Sequence, residues 1–281
     1  MKNGKALAVL ATALGIIVLD GTIVAVALPD IIKDLGLDLS DAQWVNASYS
    51  VIFAALLLTM GRLGDRFGRR NLLIAGIGLF AVGSALAAVA SDPTTLISAR
   101  LVQGVGGAAA LPAALSTVTA TFRGKARGPA FAVWGVVASG AAAIGPLLGG
   151  WLTTSFTWPW IFLVNLPVAA FVIIGALLWV PNTKQDDLAP GLDIPGLLLS
   201  ALGFSAIVYA LVEGQTMGWW KPASEVRLLG LTWPKDSAVS LVPILLALGV
   251  ALIAAFIVWE LRRARQRRSA LLDLSLFTLP T

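Results

Sequence analysis

Eight times along this chain, some twenty residues pass with hardly a charge among them. The runs cover about 6–28, 44–62, 71–90, 94–121, 129–153, 159–180, 194–213 and 239–260. A helix needs about 20 mostly apolar residues to cross the hydrocarbon core of a bilayer. None of the runs alternates with the sustained period of two that a barrel strand requires, so helices must satisfy the backbone. The predicted fold is an all-α integral membrane protein with about eight transmembrane helices. Composition agrees: 58% of the 281 residues are hydrophobic and 12% are charged, far from the balance of a soluble domain.

The first run could be mistaken for a secretory leader. Lys2 and Lys5 precede a long apolar stretch, and Ala25-Val26-Ala27 has the small residues of a cleavage site. Asp20 inside the run, and the seven spans that follow, favour an uncleaved first helix.

Cysteine and histidine are both absent. That excludes disulfides and thiolate metal sites and removes the commonest general base, so neither a metal nor a cofactor is expected. The formal charge of +5 does not point to nucleic acid, because the basic residues sit in short loops between apolar runs. The expected partner is the lipid bilayer.

Lysine and arginine also orient the spans. With the N-terminus inside, fifteen of the twenty basic residues fall in inner segments: Lys2, Lys5, Arg62, Arg66, Arg69, Arg70, Arg123, Lys125, Arg127, Lys184 and five arginines of 262–268. Only Lys33, Lys221, Arg227 and Lys235 fall outside. Both termini are therefore expected in the cytoplasm and the chain in the plasma membrane. Residues 1–181 form a six-helix bundle, 182–193 a cytoplasmic connector, 194–260 two further helices with an outer loop 214–237, and 261–281 a basic cytoplasmic segment. Trp219, Trp220 and Trp233 in the outer loop are read as lipid–water anchors.

Gly61, Arg62, Leu63, Gly64, Asp65, Arg66, Phe67, Gly68, Arg69 and Arg70 form a knot of charge between spans two and three. It is expected as a short, tight turn on the inner surface, with glycines allowing close approach. Its pattern Gly61-x-Leu63-x-x-x-Phe67 recurs as Gly150-x-Leu152-x-x-x-Phe156 between spans five and six. One copy lies inside and one outside, as a three-plus-three inverted repeat would place them.

Two ionisable residues lie within spans, where charge is costly and commonly functional. Asp20 is about 21 Å from the inner surface at 1.5 Å per residue, and Arg100, counted from the outer end of span four, lies at about the same depth. Either they form a buried ion pair that fixes packing, or they face a water-filled cavity that binds substrate or relays protons. Arg100, Gln103, Gly104 and Gly107 share one helical face, and this polar, small-residue stripe favours the cavity wall. Glu213 is read as interfacial, and Asn46, Tyr49 and Asn165 as helix–helix hydrogen-bonding groups. In span five, Pro146 bends the helix, and Gly145 and Gly149 form a close-packing pair beside Gly150.

Together these motifs resemble the major facilitator superfamily, and within it the fourteen-helix drug:proton antiporters. Gly61–Arg70 is similar to the family's inner loop between helices two and three. Leu19-Asp20-Gly21-Thr22-Ile23-Val24-Ala25-Val26-Ala27-Leu28-Pro29 resembles the subgroup's first-helix motif. Arg100-Leu101-Val102-Gln103-Gly104 resembles its fourth-helix motif, and Gly145-Pro146-Leu147-Leu148-Gly149-Gly150 the fifth-helix motif associated with antiport. Trp158–Pro167 is also similar, but Pro159 stands where members commonly carry arginine. Spans seven and eight resemble the two extra central helices, and Leu271–Phe277 the lead into a ninth.

The resemblance implies proton-driven export of a hydrophobic, often cationic compound. Asp20 would take the proton or cation, Arg100 would hold its charge state, and Gln103 would line the cavity. Gly145 and Pro146 would limit leak, and Asp65 and Arg69 would close the inner gate against the other bundle. That second six-helix bundle is missing from the sequence, so Asp65 and its arginines are expected to lack their partner. The alternative is an inactive membrane fragment or a structural, assembly subunit. An enzyme is not expected, because a single central carboxylate without histidine or cysteine lacks the usual catalytic sets.

The cysteine-free sequence allows a direct check of orientation. A single cysteine replacing Ser237 is expected to react with a membrane-impermeant maleimide in intact cells, and one replacing Lys125 only after permeabilisation. The reverse pattern contradicts the assigned orientation.

Overall fold

The computed structural model describes residues 2–184, 193–228 and 231–265. The chain divides into two compact units, 1–186 and 187–281. The first contains α1 (Lys2–Leu35), α2 (Leu39–Phe67), α3 (Arg69–Ala88), α4 (Pro93–Thr121), α5 (Arg127–Ser155), α6 (Trp160–Leu163) and α7 (Asn165–Trp179). The second contains α8 (Ile194–Met217), β1 (Val226–Leu228), β2 (Leu231–Trp233) and α9 (Leu241–Arg265). Among the described residues, eight helical spans are long and apolar enough to cross a membrane. The acidic part of the connector, 185–192, and residues 266–281, including the lead toward a ninth helix, lie outside the described residues.

The helices outrun the apolar cores that announce them, because capping side chains extend their ends. Asp38 and Asp41 form a reciprocal capping box at the start of α2. Asp92 caps α4, accepting from the Thr95 hydroxyl and backbone N–H, which together hold its carboxyl below the usual carboxylate range.

The charged knot turns tightly: α2 runs on to Phe67 and α3 begins at Arg69, so Gly68 alone makes the corner. Its φ of 103° belongs to glycine, and a Cβ there would strike the Asn182 side chain. Span six runs from Trp160 to Trp179 as α6 and α7, with Val164 between them in helical geometry and its N–H donating to the Trp160 carbonyl. The loop after α8 contains a short antiparallel hairpin that pairs Val226 with Trp233. There Trp219 and Trp220 are exposed, and the Trp233 indole donates to the Val239 carbonyl. Glu213, in the last turns of α8, is buried.

In the first unit α4 is central. A Cβ on Gly106 would overlap the Phe80 backbone and the Gly76 carbonyl of α3. On another side of α4, Gly104 and Gly107 lie against Tyr49, Ile52 and Phe53 of α2. Without side chains in those seams, two helices approach α4 closely, which is how apolar helices associate where the hydrophobic effect gives no drive. In the second unit Gly203 and Gly249 form a reciprocal contact between α8 and α9, each facing the other's carbonyl. At one end of that pair, Asp193 caps α8 and also accepts from Trp259 and Arg263 of α9.

Gly106→Ala forces backbone apart and is expected to cost about 1–3 kcal/mol, the range for overpacking. Gly78, whose Cβ would meet nothing within 4 Å, provides the control. Gly78→Ala should be neutral or slightly stabilising. Thermal unfolding midpoints in detergent compare the two.

Candidate functional site

The charges in α1 and α4 meet. Arg100 Nη1 donates to Asp20 Oδ2, and the two side chains are 1% and 0% exposed. The same nitrogen donates to Gln103 Oε1 at 2.8 Å, and Nε donates to the Val45 carbonyl of α2 at 3.1 Å. The guanidinium lies over the Tyr49 ring, 4.5 Å from its centroid, and 5.9 Å from that of Phe162. Such cation–π contact stabilises a desolvated guanidinium.

The remaining oxygen of Asp20 is held by amides. Oδ1 accepts from Gln103 Nε2 at 3.1 Å and from Asn165 Nδ2 at 2.9 Å. Ser84 Oγ of α3 accepts from the same two amides at 2.8 and 3.2 Å, and donates to the Phe80 carbonyl at 2.9 Å. Five of the six spans in this unit thus contribute to one network. A buried ion pair survives only when its leftover lone pairs and protons are satisfied in this way.

The open-cavity reading of the stripe is overturned. Arg100, Gln103, Gly104 and Gly107 are buried or pressed against α2 and α3. Glycine and alanine there serve helix contact, and sequence spacing cannot distinguish a helix seam from a cavity wall. Of the three polar residues read as helix–helix hydrogen bonders, Asn165 makes such bonds. Tyr49 acts through its ring, and its hydroxyl has no partner. Ser84 was missed altogether. Depth carried the signal: Ser84, counted from the start of span three, and Asn165, counted from the other end of span six, both fall about 20 Å from the inner surface.

The other predicted residues lie apart from this centre. Gly145 and Gly149 pack on α1 against Thr22 and Ile23, a turn beyond Asp20, while Pro146 is exposed and Gly150 makes only ordinary contact with Val26. Gly61 faces Pro112 and Gly64 faces Leu72. Asp65 pairs with Arg69 at 2.8 Å across the Gly68 corner. Arg69 also reaches the Ser116 carbonyl of α4 at 3.3 Å, and its backbone N–H donates to Thr183 at 2.9 Å. Within this unit Asp65 and Arg69 thus close the corner among themselves and α4. Arg66 lies over Phe67, and Arg70 is half-buried beside the corner. Among the described residues no cluster of three or more His, Cys, Asp or Glu is placed to hold a metal.

Residues 10–280 match the Major Facilitator Superfamily. The chain is 41% identical over 257 residues to the puromycin resistance protein pur8 of Streptomyces alboniger, covering 91% of this chain and 47% of that one. It is 35% identical over 280 residues to the multidrug resistance protein Stp of Mycobacterium tuberculosis, covering 99% and 48%. It spans about half the length of the curated relatives it matches. Its fold is shared with the POT family transporter PepTSo, at a TM-score of 0.63 and 16% identity, covering 95% of this chain and 55% of that one.

Removing one charge from a buried pair strands the other. An aspartate can neutralise itself by taking a proton, whereas a guanidinium cannot. Asp20→Asn is expected to cost about 3 kcal/mol, near the low end for a broken buried pair because Gln103, Val45 and Tyr49 still hold Arg100. The double variant Asp20→Asn/Arg100→Gln should recover most of that loss in denaturation midpoints in detergent.

Proposed function

The chain belongs to the major facilitator superfamily, and on that premise we propose that it is the first half of a proton-coupled exporter of small hydrophobic compounds. It acts in the plasma membrane as a transporter and not an enzyme. The N-terminus and the basic segment after α9 are cytoplasmic, and a second helical bundle completes the machine. The names of the relatives, resistance to puromycin and to multiple drugs, support an exported and toxic substrate.

The carrying observation is the fully buried Asp20–Arg100 pair with its amide and hydroxyl ring. Arg100 is held three ways that do not involve Asp20: a backbone carbonyl, the Gln103 amide oxygen and an aromatic face. It can remain charged whichever state Asp20 adopts. Asp20 is then the group whose charge changes, and each change alters its hold on helices α3, α4 and α7 through Ser84, Gln103 and Asn165. Proton occupancy is thereby converted into a change of helix packing.

Alternating access requires one bundle to rock against another around a central site. In this reading Gly68 and the Asp65–Arg69 pair stiffen the cytoplasmic corner as the bundle moves, and the Gly145–Gly149 seam ties α5 to the helix that carries Asp20. The Thr183 carbonyl holds the same corner by accepting from the Arg69 backbone N–H.

The test uses the complete polypeptide in proteoliposomes with an imposed pH gradient and a fluorescent hydrophobic dye. The native protein should drive dye movement against its concentration gradient. Asp20→Asn/Arg100→Gln, which keeps the packing, should lose gradient-driven movement by at least about tenfold, the usual scale for removing an acid–base group. Undiminished gradient-driven transport in that variant removes Asp20 from the coupling role.

A further inference from the structure

We propose that a groove on the α8–α9 pair seats one anionic phospholipid, with its acyl chain along α9 and its phosphate against Arg262. The groove has a volume of about 410 Å³ and is lined by Leu199 of α8 and by Ala254, Ala255, Val258, Trp259 and Arg262 of α9. The α9 residues recur at i, i+1, i+4, i+5 and i+8, so they form one stripe along the helix. From Ala254 to Arg262 that stripe is about 12 Å long at 1.5 Å per residue. One leaflet's share of the hydrocarbon core is about 15 Å. A single acyl chain beneath one headgroup has that reach. Ala254, Ala255 and Val258 are exposed, so the groove opens on the outside of the helix pair.

The charge at its end selects the occupant. Arg262 is exposed, and among the described residues it makes no hydrogen bond or ion pair. No carboxylate lines the groove. The neighbouring Asp193 is already engaged by the α8 N-terminus, Trp259 and Arg263. Glu260 is buried, and its place two residues before Arg262 puts it on the other side of α9. The Trp259 indole donates to Asp193 at 2.9 Å, and Arg263 lies 5.8 Å from its ring. These contacts hold the ring as a fixed wall of the groove.

An apolar slot that ends in an unpaired guanidinium fits an amphiphile with an anionic head, because the guanidinium fork matches phosphate oxygens. A cationic amphiphile would be repelled, and a free phosphate would leave the apolar stripe bare. A zwitterionic lipid brings its own cation, which competes with Arg262 for the phosphate. A neighbouring helix packed here would desolvate Arg262 and would have to supply a carboxylate. The sequence continues with Arg263, Arg265, Arg267 and Arg268, and a basic run at the end of a spanning helix draws anionic headgroups to it. Assigning the lipid to the cytoplasmic leaflet rests on the orientation proposed above; binding in the groove does not.

The experiment uses the complete polypeptide in phosphatidylcholine nanodiscs. A trace phospholipid with a diazirine in its acyl chain carries either a phosphatidylglycerol or a phosphatidylcholine head. After illumination, mass spectrometry locates the labelled residues. Per mole of probe, phosphatidylglycerol should label Leu199, Ala254, Ala255 and Val258 about fivefold more, the effect of one basic residue beside an anionic headgroup. Leu202 and Val250, exposed on the same helices but outside the groove, should be labelled equally by both probes. Arg262→Gln should bring the two probes level in the groove, and Arg262→Lys should keep most of the preference. Ala255→Trp, at an exposed position, fills the slot and should remove labelling of Leu199 and Ala254. Equal labelling of the native groove overturns the proposal in favour of a lipid surface that does not select headgroups. So does an equal preference at Leu202 and Val250, which marks a general charge effect. A preference that survives Arg262→Gln, or groove labelling that survives Ala255→Trp, also overturns it. Absence of label in the groove overturns it as well, because another part of the polypeptide or a second copy then covers the groove. If a variant does not fold, the probe pair on the native protein still decides.

Discussion

A guanidinium cannot shed its charge, so Arg100 has to be neutralised wherever the fold puts it. In this bundle it lies about two turns into α4, away from water. Everything near it answers that requirement: the Asp20 carboxylate, the Gln103 amide, the Val45 carbonyl and the Tyr49 ring. Coulomb attraction in a low-dielectric interior is strong, but it competes with a large desolvation cost, and only a complete set of hydrogen bonds tips the balance. Ser84 and Asn165 complete the set on the carboxylate side.

That centre exists because helices can approach α4 from two directions. Gly104 and Gly107 admit α2, and Gly76, Gly83 and Gly106 remove the side chains that would separate α3 from α4. Close backbones bring short polar side chains into reach of one another. Longer spacers would leave Ser84 unable to meet Gln103, and the pair would lose its outer ring of bonds. The antiport-like Gly145–Gly149 pair does the same for α5 on α1. The helix pair α8–α9 follows the same rules by itself, with a Gly203–Gly249 seam and a buried carboxylate, Asp193, shared among a cap, an indole and an arginine.

The sequence was most informative where one dimension was enough. Hydrophobic length located every span, and counting 1.5 Å per residue placed Asp20 and Arg100 in one layer before any contact was known. The same count would have added Ser84 and Asn165, since a serine and an asparagine at matching depth are candidates for the same network. It said nothing about azimuth, the direction each residue faces around its helix. That gap decides how the Arg100–Gly107 stripe reads: spacing alone suggests a cavity wall, and the packed helices make it a seam. Asp65 pairs with Arg69 four residues on, because Gly68 lets α3 start almost where α2 ends.

What the sequence determined by itself is the set of membrane-crossing helices and their depths, because the bilayer imposes a length and a penalty on charge that act on each segment separately. It also determined the family, through short motifs in a fixed order. Only the tertiary structure decided which residues touch: that the two charges form one pair, and that two amides and a hydroxyl complete it. Those outcomes depend on the rotation of each helix about its axis. Rotation is set by how all the helices pack together, and no single segment carries that information.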